Sequence, residues 1–216
     1  MKRLSRIEEN MKHFKWIKKV LLYMLLLVSI ALILSMPIII SGYEIYKEAI
    51  EKVPLDMRIE QLKSDEDYVT IMEISQHFKE KVIESEDRRF YEHYGINLTS
   101  TVRALLKNIE VGARVEGGSS ITQQLAKNMY FSFDKKYERK IAELFVSFDL
   151  EKMLDKDEIL ELYCNIAYFG EGREGIREAS RHYYGVEPID LTEVQADELV
   201  RTLKSPSVYN PNSINK

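Results

Sequence analysis

The sequence predicts a mainly α-helical domain carried behind one N-terminal transmembrane helix, and three observations lead there. An uncharged run of 21 residues lies near the N-terminus, apolar residues recur at helical spacing through most of the remainder, and helix-start signals punctuate that remainder. The run, residues 20–40, reads VLLYMLLLVSIALILSMPIII, close to the roughly 20 residues that cross a hydrocarbon core of about 30 Å. It exceeds a signal-peptide apolar region, and no A-x-A-like cleavage site follows it. Pro37 near its end is compatible with a helix in lipid. Seven basic residues precede it (Lys2, Arg3, Arg6, Lys12, Lys15, Lys18, Lys19) against Glu8 and Glu9, whereas residues 43–51 carry three acidic residues and one basic. The positive-inside rule then makes residues 1–19 a cytoplasmic basic tail and places everything after Ile40 outside, with Trp16, Tyr23 and Tyr43 as interfacial anchors.

Residues 41–67 are polar and weakly periodic, and are expected to form a partly helical stalk below a domain over residues 68–216. Within that domain Asn97 can cap a helix bearing Val102, Leu105, Leu106 and Ile109 on one apolar face. Ser120 with Gln123 fits a capping box for a helix to about Met129. A third helix, residues 139–154, places Ile141, Leu144, Phe145 and Phe148 on one side. Asp155 with Glu158 starts a fourth; another ends at Gly185, and the last runs from near Thr192 to before Pro206. Strand-like residues are confined to 68–74.

Composition narrows the function classes. Hydrophobic residues make up 45% of the 216, enough for a core, and 31 basic against 35 acidic residues give a net charge of −4. No concentrated basic surface points to nucleic acid. Cys164 is the one cysteine, so neither a disulfide nor a thiolate metal site can be built, and a buried apolar role is expected.

Three constellations could carry chemistry. Residues 86–95, EDRRFYEHYG, crowd carboxylates, cations and aromatics beside a glycine. They read either as a solvated helix end with local ion pairs or as the place where a carboxylate near Phe90, its pKa raised by desolvation, serves as a general base. Residues 116–128, EGGSSITQQLAKN, open a helix on two glycines, so that free N–H groups and hydroxyls can receive an anion with Lys127 two turns on; an ordinary capped helix is the alternative. Arg139, Lys140 and Glu143 share one helical face, which fits a simple ion pair or a site for a doubly charged group such as pyrophosphate. Asp65-Glu66-Asp67 has the D-x-D pattern but sits among acidic residues without an α/β frame, and reads as solvated charge. His77, His93 and His182 have no metal-ligand spacing.

These constellations, in this order behind a membrane anchor, resemble glycosyltransferase family 51: the transglycosylase domain of class A penicillin-binding proteins and the monofunctional peptidoglycan glycosyltransferases. The family patterns E-D-x-x-F-x-x-H-x-G, G-G-S-T-I-T-Q-Q-L-x-K-N and R-K-x-x-E match residues 86–95, 117–128 and 139–143. A fourth, L-E-x-x-x-x-K-x-x-I-L-E-x-Y-L-N, covers residues 150–165, and residues 204–211, KSPSVYNP, resemble a fifth. Ser120, Cys164 and Asn97 depart from the usual threonine, leucine and aspartate. Relatives continue beyond Pro211, so a C-terminally shortened domain is expected.

The resemblance implies a lysozyme-like helical lobe with a smaller jaw beside the membrane, and polymerisation of lipid II into β-1,4 glycan with release of undecaprenyl pyrophosphate. It implies Glu86 and Glu143 as catalytic. Arg89, Ser119, Thr122, Gln123, Gln124, Lys127, Asn128, Arg139 and Lys140 would bind pyrophosphate and sugar. Glu143 would orient these cations or hold a divalent ion, Mg2+ or Mn2+, against the pyrophosphate, and no metal is assigned as required. The implied partners are lipid II, the growing lipid-linked glycan, the cell membrane and a separate transpeptidase. The competing readings are a lysozyme-like hydrolase or lytic transglycosylase, and a non-catalytic membrane-tethered scaffold.

Overall fold

The computed structural model describes residues 2–113, 117–131, 137–206 and 208–214, with side chains from Phe14 to Ser213. Glu116 of the second motif, Ser207 of the fifth, and the side chains of Lys2, Arg3, Arg6, Glu8, Glu9 and Lys12 lie outside the described residues. Chain contacts divide the molecule into two units, Met1–Ser41 and Gly42–Lys216.

The first unit is the greater part of α1 (Lys2–Lys52). Its most apolar 18-residue stretch has a mean hydropathy of 2.6 and is not buried by protein, as a lipid-facing helix requires. Ser29 and Ser35 return their hydroxyls to the backbone carbonyls of Leu25 and Leu32, so neither presents an unpaired donor to lipid.

The second unit is mainly α, the class read from the sequence, and no strand occurs among its described residues. It comprises the end of α1, then α2 (Leu55–Lys63), α3 (Gln76–Glu86), α4 (Leu98–Val111), α5 (Ile121–Tyr130), α6 (Tyr137–Met153), α7 (Lys156–Ile166), α8 (Ile176–Tyr184), α9 (Glu193–Lys204) and α10 (Pro211–Ile214). The start signals hold residue by residue. Asn97 accepts from Ser100 N–H, and capping boxes close at Ser120/Gln123, Asp155/Glu158 and Thr192/Gln195. Gly185 ends α8 in the left-handed conformation. The core joins Phe78 and Val82 of α3, Ile121 and Leu125 of α5, Leu160 and Tyr163 of α7, Phe169, and Leu199 of α9. Cys164 is buried among them, and burial pushes its thiol up to about 12.

Two expectations are corrected, and two apolar helix faces prove to lie outside the core. The 41–67 segment is not a spacer. Leu55 and Ile59 of α2 enter the core, and Tyr130 donates to the Val53 carbonyl, because the weak periodicity hid two apolar anchors one turn apart. Residues 68–74 form no strand: a Thr70/Glu73 capping box winds Ile71–Glu73 into a 3-10 turn, and Asn165 bonds both the N–H and the carbonyl of Val69. On α6 the buried side carries Ala142, Glu143, Val146, Ser147 and Leu150, where α5 packs, while Ile141, Leu144, Phe145 and Phe148 are half-buried. The apolar row of α4 is exposed altogether: Leu105 is 58% and Ile109 68% accessible.

Candidate active site

The end of α3 and the start of α5 meet through one carboxylate. Asp87 is buried and accepts from His93 Nε2 (2.7 Å), Asn97 Nδ2 (2.8 Å) and Ile121 N–H (3.3 Å). Burial alone would raise its pKa, but the hydrogen bonds from His93 and Asn97, with the Ile121 N–H, outweigh it and hold the group below the usual carboxylate range. Asp87 therefore stays ionised and ties the first motif to the cap of α4 and the first turn of α5. Phe90, expected to desolvate a base, is buried against the Lys156 ammonium, which lies 4.5 Å from its ring centre.

Glu86 is the last residue of α3 and is half-buried. Gln124 Nε2 donates to its Oε2 (2.9 Å) and Ser85 Oγ to its Oε1 (3.3 Å), while the hydroxyl of buried Tyr163 donates to Gln124 Oε1 (3.3 Å). A relay from core to surface thus fixes one Glu86 oxygen. Lys127 follows Gln124 by one turn of α5. Burial lowers its pKa, opposed chiefly by the charge of Glu143 and aided by those of Lys140 and Arg139. Lys140 Nζ bridges Ser119 Oγ (2.8 Å) and Glu143 Oε2 (2.7 Å), and Arg139 pairs with the other Glu143 oxygen. The side chain of Glu143 is fully enclosed.

Glu86, Ser119, Gln123, Gln124, Lys127 and Lys140 line one cleft of about 1030 Å³. The other predicted site residues stand differently. Arg139 and Glu143 back the cleft through Lys140 without lining it. Thr122 is buried and donates to Glu151, Arg89 bonds Glu92 and Thr99, and Asn128 is half-buried away from the cleft lining.

The glycines have a second purpose. A Cβ on Gly118 would lie 2.8 Å from Thr101 Cα, so its bareness lets α4 approach, whereas Gly117 is open. The first turn of α5 is no vacant anion cradle, because Asp87 takes Ile121 N–H and Ser120 takes Gln123 N–H. Nor does Glu143 fit a divalent ion, since both its oxygens accept from cations, and no three His, Cys, Asp or Glu converge among the described residues.

The far wall was missed by sequence reasoning. Lys81 of α3, Arg88, Arg103 of α4, and Arg201 and Lys204 of α9 also line the cleft. Arg201 and Lys204, three apart on the last turn of α9, were the available signal, but a basic helix C-terminus is common on electrostatic grounds alone. Packing of α9 on α3 brings them to the site.

Residues 55–216 match the family model described as Transglycosylase. The chain belongs to this family. Among its relatives, Penicillin-binding protein 1F of Bacillus subtilis (strain 168) is 46% identical over 143 residues, which are 66% of this chain and 20% of that protein. Penicillin-binding protein 1A of Aquifex aeolicus (strain VF5) is 40% identical over 144 residues, 67% of this chain and 20% of that protein. The Biosynthetic peptidoglycan transglycosylase of Nitrosospira multiformis is 39% identical over 145 residues, 67% of this chain and 63% of that protein. The chain thus spans about a fifth of the length of these penicillin-binding proteins. Family membership and the apolar α1 make it a membrane-anchored protein of the transglycosylase family.

Proposed function

We propose that the chain polymerises lipid II into β-1,4 glycan strands, releasing undecaprenyl pyrophosphate, on the outer face of a bacterial membrane. The observation that carries this reading is the placement of one oriented carboxylate, Glu86, in the same cleft as the cations Lys127 and Lys140. Glu86 takes the proton from the acceptor sugar's 4-hydroxyl as that oxygen attacks the anomeric carbon of the donor. The bond from that carbon to the pyrophosphate breaks, and the electron pair leaves with the pyrophosphate. Lys127 and Lys140, the latter held by Ser119 and Glu143, stabilise the departing charge, and Arg139 holds Glu143 in place. Both substrates carry a pyrophosphate, so two cationic walls suit the reaction; Arg201 and Lys204 supply the second.

A hydrolase would need a second carboxylate free to act as nucleophile or base. Glu143 is enclosed by two cations and suits neither task, and Glu84 and Asp197, which also line the cleft, are engaged by Lys81 and His77. Partners follow from the same reading: the growing lipid-linked glycan, and a transpeptidase that cross-links it. The exposed apolar row of α4 fits a jaw resting on lipid.

Purified full-length protein given lipid II is expected to yield polymer, and Glu86→Gln to abolish it without changing the thermal midpoint. Release of saccharides from finished peptidoglycan, with no polymer from lipid II, would sink the synthetic reading, and near-normal synthesis by Glu86→Gln would remove Glu86 from its role.

A further inference from the structure

Gly42 is the first buried residue met along the described side chains, and it stands inside a helix, where glycine is a poor helix former. A Cβ placed there would lie 2.5 Å from the Ile141 Cβ and 2.7 Å from the Glu138 carbonyl oxygen. The end of α1 and the start of α6 therefore meet as closely as backbones allow, and any side chain would force them apart. Contact continues along both helices. The rings of Tyr43 and Tyr46 lie 5.2 and 5.3 Å from that of Phe145, and the Tyr46 hydroxyl donates to Asp149 Oδ2 at 2.5 Å. From residue 138 to 149 this spans about three turns of α6, and the first of those turns holds Arg139 and Lys140, with Glu143 just beyond.

We propose that residues 42–46 are a brace setting the position of α6, with Gly42 and Tyr46 as positioning residues for the Arg139–Lys140–Glu143 cluster. The end of α1 from Gly42 onward is then part of the site's framework. The effect on catalysis rests on the polymerase reading, whereas the effect on α6 does not.

The test compares full-length wild type, Gly42→Ala and Tyr46→Phe in lipid vesicles, by lipid II polymerisation and by amide exchange across residues 139–147. Alanine favours helix more than glycine does, so a loss in Gly42→Ala cannot come from a weakened α1. A displacement on the order of 1 Å at a catalytic cluster is expected to lower kcat about ten- to hundredfold, with KM for lipid II within about threefold. Tyr46→Phe keeps the ring and loses the hydroxyl, and is expected to show a smaller loss of the same kind. Exchange over residues 139–147 is expected to quicken in Gly42→Ala at unchanged vesicle association. Wild-type kcat in Gly42→Ala, or unchanged exchange in α6, overturns the proposal. If wild type itself makes no polymer, the parent reading fails and the exchange result alone decides the brace.

Discussion

At the scale of single residues, the site separates groups that do chemistry from groups that hold them. Glu86 and Asp87 are adjacent carboxylates with opposite surroundings: Glu86 ends a helix at the cleft, while Asp87 turns inward and is satisfied by three donors. Lys127 is the residue whose protonation the fold makes costly, since burial lowers its pKa. A lowered lysine pKa means the ammonium is lost at a lower pH than an ordinary lysine, near 10.4. If Lys127 supplies charge to departing pyrophosphate, the rate falls as pH rises through that depressed value. Lys127→Arg, whose charge persists above about pH 12, is expected to carry the alkaline limb of the pH–rate profile to higher pH. A limb that stays in place would assign the titration to another group.

At the scale of elements, what was legible in the sequence was local. Capping boxes join residues three apart, so Ser120/Gln123, Asp155/Glu158 and Thr192/Gln195 announced their helices without any partner helix. What was not legible depends on who packs where. The apolar row of α4 and the Ile141–Phe148 side of α6 have identical helical spacing, yet the first is exposed and the second leans on α1. The motif residues Glu86, Lys127 and Lys140 were readable from their pattern, but Arg201 reaches them only through packing of α9 on α3. The α4 row carries its own test. Replacing Leu105 and Ile109 by Ser exposes no new core, so the thermal midpoint is expected to hold within about 0.5 kcal/mol of stability. If the row rests on lipid, the double variant loses rate on bilayer-embedded lipid II and keeps it on detergent-dispersed substrate. Equal loss in both would mean that α4 acts through the cleft itself.

At the scale of the molecule, charge is unevenly spent. The chain is net −4, yet seven lysines and arginines against three acidic residues line the cleft. Screening length shrinks from about 30 Å at 0.01 M salt to about 8 Å at 0.15 M. The KM for lipid II is expected to rise across that range, and a flat KM would mean that the far wall contributes no long-range attraction. Composition concealed this polarity because the average over 216 residues cancels it. Cys164 bears on the whole molecule in another way. It is the one thiol in the sequence, sealed in the core with its proton tightly held, so it is inert while the helices stay closed and reactive once they part. The chain therefore carries its own chemical clock: the pace at which an alkylating reagent consumes that sulfur counts openings of the helical core, with no label introduced.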